Sequence, residues 1–430
     1  MKPVLIQYAH IIDPSQNING TGSLVIADGK IAWLGKDEHK PPENDYEVIE
    51  ATNLIACPGF IDLHCHLRDP GFEEKETIIT GTRAAAKGGY TTVCCMPNTE
   101  PAIDNQSVVD YVKDKAAREG AIRVLPIGCI TKGRKGEALA EMGELAQSGV
   151  VAFSDDGNPV MNSRLMRQAL DYSRAFDLPV IDHCEDKVLA EGGQMNEGVI
   201  STRLGLPGMP AAAEEIMVAR DISLAKLTGA RLHLAHLSTA DSVELVRAAK
   251  KKGIRVTAEV TPHHLTLTEE KVLGYDSNAK VNPPLRTRQD VQALIQGLKD
   301  NTIDAIATDH APHTEAEKMC EFAYAPFGIS ILDTALGMLL SLVHEQKIDL
   351  KLLISKLTWG PAQIIGDGFG KLGTLAVGSQ ADLTLFDLDR EWVVDPKTFA
   401  SKGQNTPLAG TKLKGKVVAT FYQGKMVYKG

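Results

Sequence analysis

Two histidines one residue apart, His64 and His66, follow the apolar run Leu54–Leu63. On a β-strand, alternate side chains share a face, so both imidazoles would point the same way. That is a natural first pair of ligands for a metal ion. Arg68 joins them if the strand direction persists for two more residues, and a guanidinium there suits a carboxylate. Taken alone, the pair also describes histidines on an edge strand or in a turn. The later chain decides. Just past further apolar runs lie Asp155 and Asp156, then His183, then His236, then Asp309 with His310 and His313 behind it. Imidazoles and carboxylates together form a nitrogen and oxygen set suited to zinc. Two ions can share a bridging carboxylate, as in two-metal hydrolases. Ligand types recurring at separate strand ends are hard to explain as satisfied core residues.

The elements that must position these residues are short apolar strands alternating with helices. Strands are expected at Thr91–Met96, Arg123–Ile127, Gly149–Phe153, Leu178–Ile181, Arg231–Ala235, Arg255–Val260 and Ile303–Ala307, besides the one before His64. Helices are expected at Ser163–Phe176, Ala212–Thr228 and Ser242–Lys252. Eight β-then-α units argue for an α/β fold of the (β/α)8 TIM-barrel type, with its site at the C-terminal strand ends. A doubly wound open sheet is the alternative, but no Gly-rich dinucleotide loop supports it. Both chain ends read as short strands, with Asp13-Pro, Asn19-Gly and Asp28-Gly as turn signals. They suggest one small β-domain built from 1–55 and 370–430 around a barrel at 56–369.

The chain has 430 residues, 43% hydrophobic and 23% charged, which is ordinary globular composition. A net charge of -9 with no basic stripe disfavours nucleic acid or an anionic membrane as partner. The opening residues are too short an apolar run for a signal peptide, and no stretch reaches membrane-spanning length. Seven cysteines without a C-x-x-C motif read as reduced thiols in a cytoplasmic protein. Cys65 and Cys184 adjoin candidate ligands but alternate away from them, as packing residues.

Gly59-Phe-Ile-Asp-Leu-His-Cys-His-Leu-Arg-Asp-Pro-Gly71, Met96-Pro-Asn-Thr99, Thr261-Pro-His-His-Leu265, Val281-Asn-Pro-Pro-Leu-Arg286 and Ala307-Thr-Asp-His-Ala-Pro-His313 resemble motifs of the amidohydrolase superfamily. Within it they are similar to the longer type of bacterial dihydroorotase, in order and over nearly the whole chain. The resemblance implies a distorted barrel with a flanking β-sandwich built from both termini. It also implies reversible cyclisation of N-carbamoyl-L-aspartate to L-dihydroorotate in pyrimidine (UMP) synthesis.

Carried over residue by residue, the resemblance gives one zinc to His64, His66 and Asp309 and a second to His183 and His236. Many relatives bridge the ions with a carboxylated lysine, but Val151-Ala-Phe-Ser-Asp-Asp-Gly157 offers none. Asp156 falls where the longer enzymes use an aspartate, with Asp155 as fallback and a turn or cap as the other use of the pair. One or two zinc ions per subunit are expected, the binuclear site being favoured. Asp309 would be the general acid and base. His66 and Leu67 are expected to bind substrate; Arg68, Asn98 and His313 match contacts to its carboxylate, while Asn282 and the backbone at Phe327 and Gly328 match contacts to the ring. Without the resemblance, Asn98 and Asn282 read as turn residues beside prolines. Residues 311–318 read as a polar stretch suited to a lid.

The remaining histidines take plainer readings. His263 and His264 adjoin, so only one can face the site, and hydrogen bonding behind the ligands suits them. His310 points away from Asp309's face, and His10, His39, His233 and His344 lack partners at ligand spacing. Glu73–Glu76 reads as a solvated loop or helix start. One departure from the family pattern is Asp333, where glutamate is commoner. Rival readings are a hydantoinase or allantoinase, and a non-catalytic subunit supporting aspartate transcarbamoylase. A homodimer, and association with aspartate transcarbamoylase, are what the resemblance implies about partners.

Overall fold

The computed structural model describes residues 2–36 and 45–430, so His39 lies outside the described residues. Parallel strands Phe60–Cys65, Tyr90–Cys95 and Arg123–Pro126 pair side by side. Val180–Asp182, Leu232–Leu234, Val256–Val260 and Ala305–Ile306 pair in the same way. Between the two sets, Phe153 bridges Gly128 on one side and Val180 on the other. The expected strand at Gly149–Phe153 is therefore reduced to isolated bridges, with Val151 N–H donating to Pro126 O at 2.9 Å. His310 bridges Cys65 and closes the ring. The result is a distorted eight-membered (β/α)8 barrel.

Small and branched side chains fill its interior, among them Ile61, Leu63, Leu125, Ile181, Ala305 and Ala307. Ala362, Ile364 and Ile365 of the helix Trp359–Ile365 join that cluster. Alanines suit the last strand because the packed barrel axis leaves little room. Outside, helices present one apolar face to the strands. Ala212–Thr228 has the expected bounds, while Ser163–Ser173 ends in a 3-10 turn at Arg174–Phe176. The third expected helix begins two residues early, at Ala240, because Thr239 caps it by accepting from Ser242 N.

The chain ends meet in one eight-stranded sheet. Its order is Lys425–Lys429, Lys412–Tyr422, Leu383–Val393, Ile55–Pro58, Val4–Asp13, Ile18–Ala27 and Lys30–Lys36, with Glu47–Glu50 also on Val4–Asp13. One face builds its own core around Ile6, Leu24, Leu383 and Phe421. Phe386, Leu413 and Val417 instead join the barrel's outer core. Asp28-Gly29 and Gln423-Gly424 are two-residue hairpin turns with both φ positive, at 50° and 75° and at 49° and 76°. That is the geometry which follows the twist of paired strands. Asn19-Gly20 is not a turn: these residues pair with Ile12 and Ile11, and the chain reverses at Pro14–Asn17 instead. Among the described residues, no helix is long and apolar enough to cross a membrane.

Candidate active site

The site forms where the barrel closes. Asp62, buried in the first strand, accepts from Thr308 N at 2.8 Å, Thr308 Oγ1 at 2.6 Å and His64 N at 3.2 Å. Asp309 N in turn donates to His64 O at 2.9 Å. One carboxylate thus fixes both the first histidine and the last aspartate. Arg68, His236 and Asp309 all adopt positive φ, at 60°, 31° and 47°. Strained backbone of this kind persists where the surroundings hold it, commonly at functional sites.

Four imidazoles converge. His66 Nε2 lies 3.0 Å from Asp309 Oδ1, and His64 Nε2 lies 3.5 Å from the same atom. His183 Nδ1 and His236 Nε2 face each other at 2.9 Å, and lie 3.7 and 3.8 Å from Asp156 Oδ1. Asp156 sits between the two sets: Oδ1 is 3.3 Å from His64 Nε2, and Oδ2 is 3.7 Å from His66 Nε2. His64, His66 and Asp309 form one group able to hold an ion, and His64, Asp156 and His236 another, with ligand atoms within 4.8 Å. The outer nitrogens of three imidazoles are spoken for. His64 Nδ1 meets Glu259 Oε1 at 3.0 Å, His66 Nδ1 meets Asn98 Oδ1 at 2.9 Å, and His183 Nε2 meets Glu185 Oε2 at 2.8 Å. Because these oxygens accept, the inner nitrogens keep their lone pairs. The His64 Nε2 atom is buried with no hydrogen bond. Convergent lone pairs beside two carboxylates fit divalent ions bound through nitrogen and oxygen.

Asp155 and Asp156 separate here. Asp155 Oδ1 accepts from Ile130 N at 2.8 Å and Thr131 N at 3.0 Å, and its other oxygen takes the Thr131 hydroxyl. It ties a loop while Asp156 faces the histidines.

A cavity of about 610 Å³ opens beside this cluster. Of the residues expected in the site, only His64 and Leu67 do not line it. His64 lies behind the others, and Leu67 is buried in the barrel's outer core. The strand ends at Cys65, so Arg68 does not continue it. A left-handed turn carries its side chain to the cavity instead, where Nε donates to Pro312 O at 3.3 Å. Among the described residues, no carboxylate pairs with Arg68 within 4.0 Å.

A family model described as "Dihydro-orotase-like" matches residues 53–242. A protein named dihydroorotase from Thermoanaerobacter sp. (strain X514) is 54% identical, covering 97% of each chain. Another of that name, from Pelotomaculum thermopropionicum, is 52% identical over 99% of this chain and 98% of its own. The chain belongs to the dihydroorotase family. In fold, the solved L-hydantoinase (dihydropyrimidinase) from Arthrobacter aurescens superposes with a TM-score of 0.89 over 100% of this chain and 96% of that one, at 24% identity.

The polar stretch 311–318 is no free loop in this dihydroorotase-family chain. Asn405 Nδ2 donates to Ala311 O at 3.1 Å and Gly328 O at 3.0 Å, tying the start of the segment to Gly328. Lys318 is buried, with Nζ donating to Pro326 O at 2.8 Å and Ser277 O at 3.0 Å. His313 Nε2 meets Phe327 O at 2.8 Å, and burial together with the Arg68 and Lys318 charges pulls its pKa down to about 3. Unfolded, this imidazole titrates near 6.5, so between pH 6.5 and 3 the unfolded chain binds the extra proton and stability falls with pH. His313→Gln is therefore expected to lose less Tm than the wild type between pH 6.5 and 4.5, as thermal melts would show.

Sequence reasoning missed Asp62, Glu259 and Glu185. The first two carried a signal, a lone acid inside an apolar strand, which must find partners when buried. Glu73–Glu76 reads as a solvated loop or a helix start, and Glu76 does stand just before Thr77, the cap of the helix Ile78–Lys87, but not in solvent. It is buried instead, accepting from Thr77 N at 3.1 Å and from the Ser401 hydroxyl, with His310 Nε2 at 3.4 Å. His310 thus points away from the cluster, as expected. His264 bonds Thr261 and Pro283 O, whereas both ring nitrogens of the buried His263 lack hydrogen bonds.

Proposed function

We propose that this chain is a zinc-dependent dihydroorotase that interconverts N-carbamoyl-L-aspartate and L-dihydroorotate in pyrimidine synthesis, a role that goes with a cytoplasmic location. The observation that carries the reading is Asp156 lying between two sets of converging imidazoles, with Arg68 open on the same cavity. Relatives about half identical along the whole chain, named dihydroorotase, support it.

In this reading His64, His66 and Asp309 would hold one zinc and His183 and His236 a second, with Asp156 lying between the two sets. When bound, zinc supplies Lewis acidity, polarising the ring amide carbonyl and making a water acidic near neutral pH. Asp309 is placed to take a proton from the attacking water and pass it to the departing ring nitrogen. In ring closure Asp309 takes a proton from the carbamoyl nitrogen and delivers it to the leaving hydroxyl. Arg68 grips the substrate carboxylate with two parallel N–H donors, fixing the ring over the aspartate. Asn282, whose Nδ2 donates to Glu185 Oε2 at 2.7 Å, borders the ring on the opposite side with Phe327 and Gly328.

The purified protein should interconvert the two substrates and leave hydantoin untouched. Turnover of hydantoin alone would move it to the hydantoinases. Zinc binding with no turnover of any of these would favour a supporting subunit. Arg68→Lys keeps the charge and loses the fork, so kcat/KM should fall about 10²-fold, chiefly through KM. Steady-state kinetics in both directions checks this. A homodimer, and a complex with aspartate transcarbamoylase, belong to the same proposal. Gel filtration of the two proteins mixed, without a shift from their separate positions, would count against the complex.

A further inference from the structure

Behind His64 runs a buried chain of side chains that the reaction above leaves without a task. Glu259 gives Oε1 to His64 Nδ1 at 3.0 Å and Oε2 to His233 Nε2 at 3.1 Å. His233 Nδ1 meets Thr257 Oγ1 at 2.8 Å. The strands Leu232–Leu234 and Val256–Val260 run parallel with His233 directly opposite Thr257, so the backbone register sets the chain. His64, His233 and Glu259 are all 0% exposed.

Proton placement follows from the donors. A carboxylate only accepts, so His64 donates from Nδ1 and His233 donates from Nε2. A neutral His233 then has its lone pair at Nδ1, which the Thr257 hydroxyl fills. This arrangement leaves the His64 Nε2 lone pair aimed at Asp156 and Asp309, two acceptors that cannot bond to it. A metal ion placed between them satisfies all three. His236 differs: its Nδ1 is buried with no partner. The buttress thus serves one ligand of the cluster in particular.

We propose that Glu259 is a positioning residue that locks His64 in its metal-binding tautomer, and that His233 acts on the metal only through Glu259. This rests on the metal-centre reading above. Partners behind metal-bound histidines typically change metal affinity 10–100-fold when removed.

Zinc affinity, measured on the whole purified protein by competition with a chromogenic chelator, tests it. Glu259→Gln should weaken binding about 10–100-fold and His233→Ala about tenfold. In the Glu259→Gln background, His233→Ala should cost nothing further, since the two act as one unit. Full additivity would mean that His233 serves packing alone and would overturn the proposal. If His233→Ala does not fold, Thr257→Val closes the same cycle, with an expected loss of about two- to fivefold from one hydrogen bond. Unchanged affinity in Thr257→Val and Glu259→Gln would overturn it too. A wild type that binds no zinc would instead reject the metal reading itself, which keeps the two failures apart.

Discussion

Asp309→Asn is expected to lower kcat in both directions by about 10³-fold or more, with the metal-free protein melting as the wild type does. The substitution removes a carboxylate that stands 3.0 Å from His66 Nε2 and 3.5 Å from His64 Nε2, and with it the proposed proton carrier. Asparagine keeps the shape and tolerates the left-handed backbone at φ 47°, so the turn itself is not at stake. The backbone bond from Asp309 N to His64 O also survives. An amide oxygen can still face an ion, but it does not shuttle protons near neutral pH. A loss below tenfold would take the acid and base role away from Asp309.

The neighbouring aspartates should part company. Asp156→Ala is expected to reduce bound zinc and lower activity at least 10²-fold while leaving the apoprotein's Tm in place. Its side chain meets the histidines, and the structural contacts of this residue are backbone ones, such as the Arg134 guanidinium on Asp156 O. Asp155→Ala should do the reverse. It strips the acceptor from Ile130 N, Thr131 N and the Thr131 hydroxyl, all buried. Unsatisfied buried donors cost about 1–3 kcal/mol each, so several degrees of Tm should be lost while zinc per folded protein holds. Metal analysis and thermal melts on both variants check the pair. Equal zinc loss in both would mean that the bridging role is shared.

Much of this site was readable because a barrel strand must be apolar, so each proposed ligand stands out as the polar residue that ends an apolar run. His183, His236 and Asp309 all lie just past such runs. Alternation did less. It placed His64 and His66 together, but the strand stops at Cys65, and Arg68 reaches the cavity through a left-handed turn that no periodicity announces. Long-range partners were out of reach. Glu259 is 195 residues from His64 in sequence, and its contribution lies behind that imidazole. Glu76 fails for the same reason: its neighbours Ser401 and His310 come from distant parts of the chain. Asn19-Gly20 shows a local turn signal losing to sheet register. Where pairing and burial decide, a window of neighbours is too short.

The proposed two-ion centre would drive both ring closure and ring opening. The direct measurement is to titrate metal-free protein with zinc while following interconversion of L-dihydroorotate and N-carbamoyl-L-aspartate. Turnover should be negligible without metal, and activity should saturate near two equivalents. Full activity in the metal-free protein, or zinc bound at both positions with neither substrate converted, would contradict the proposal.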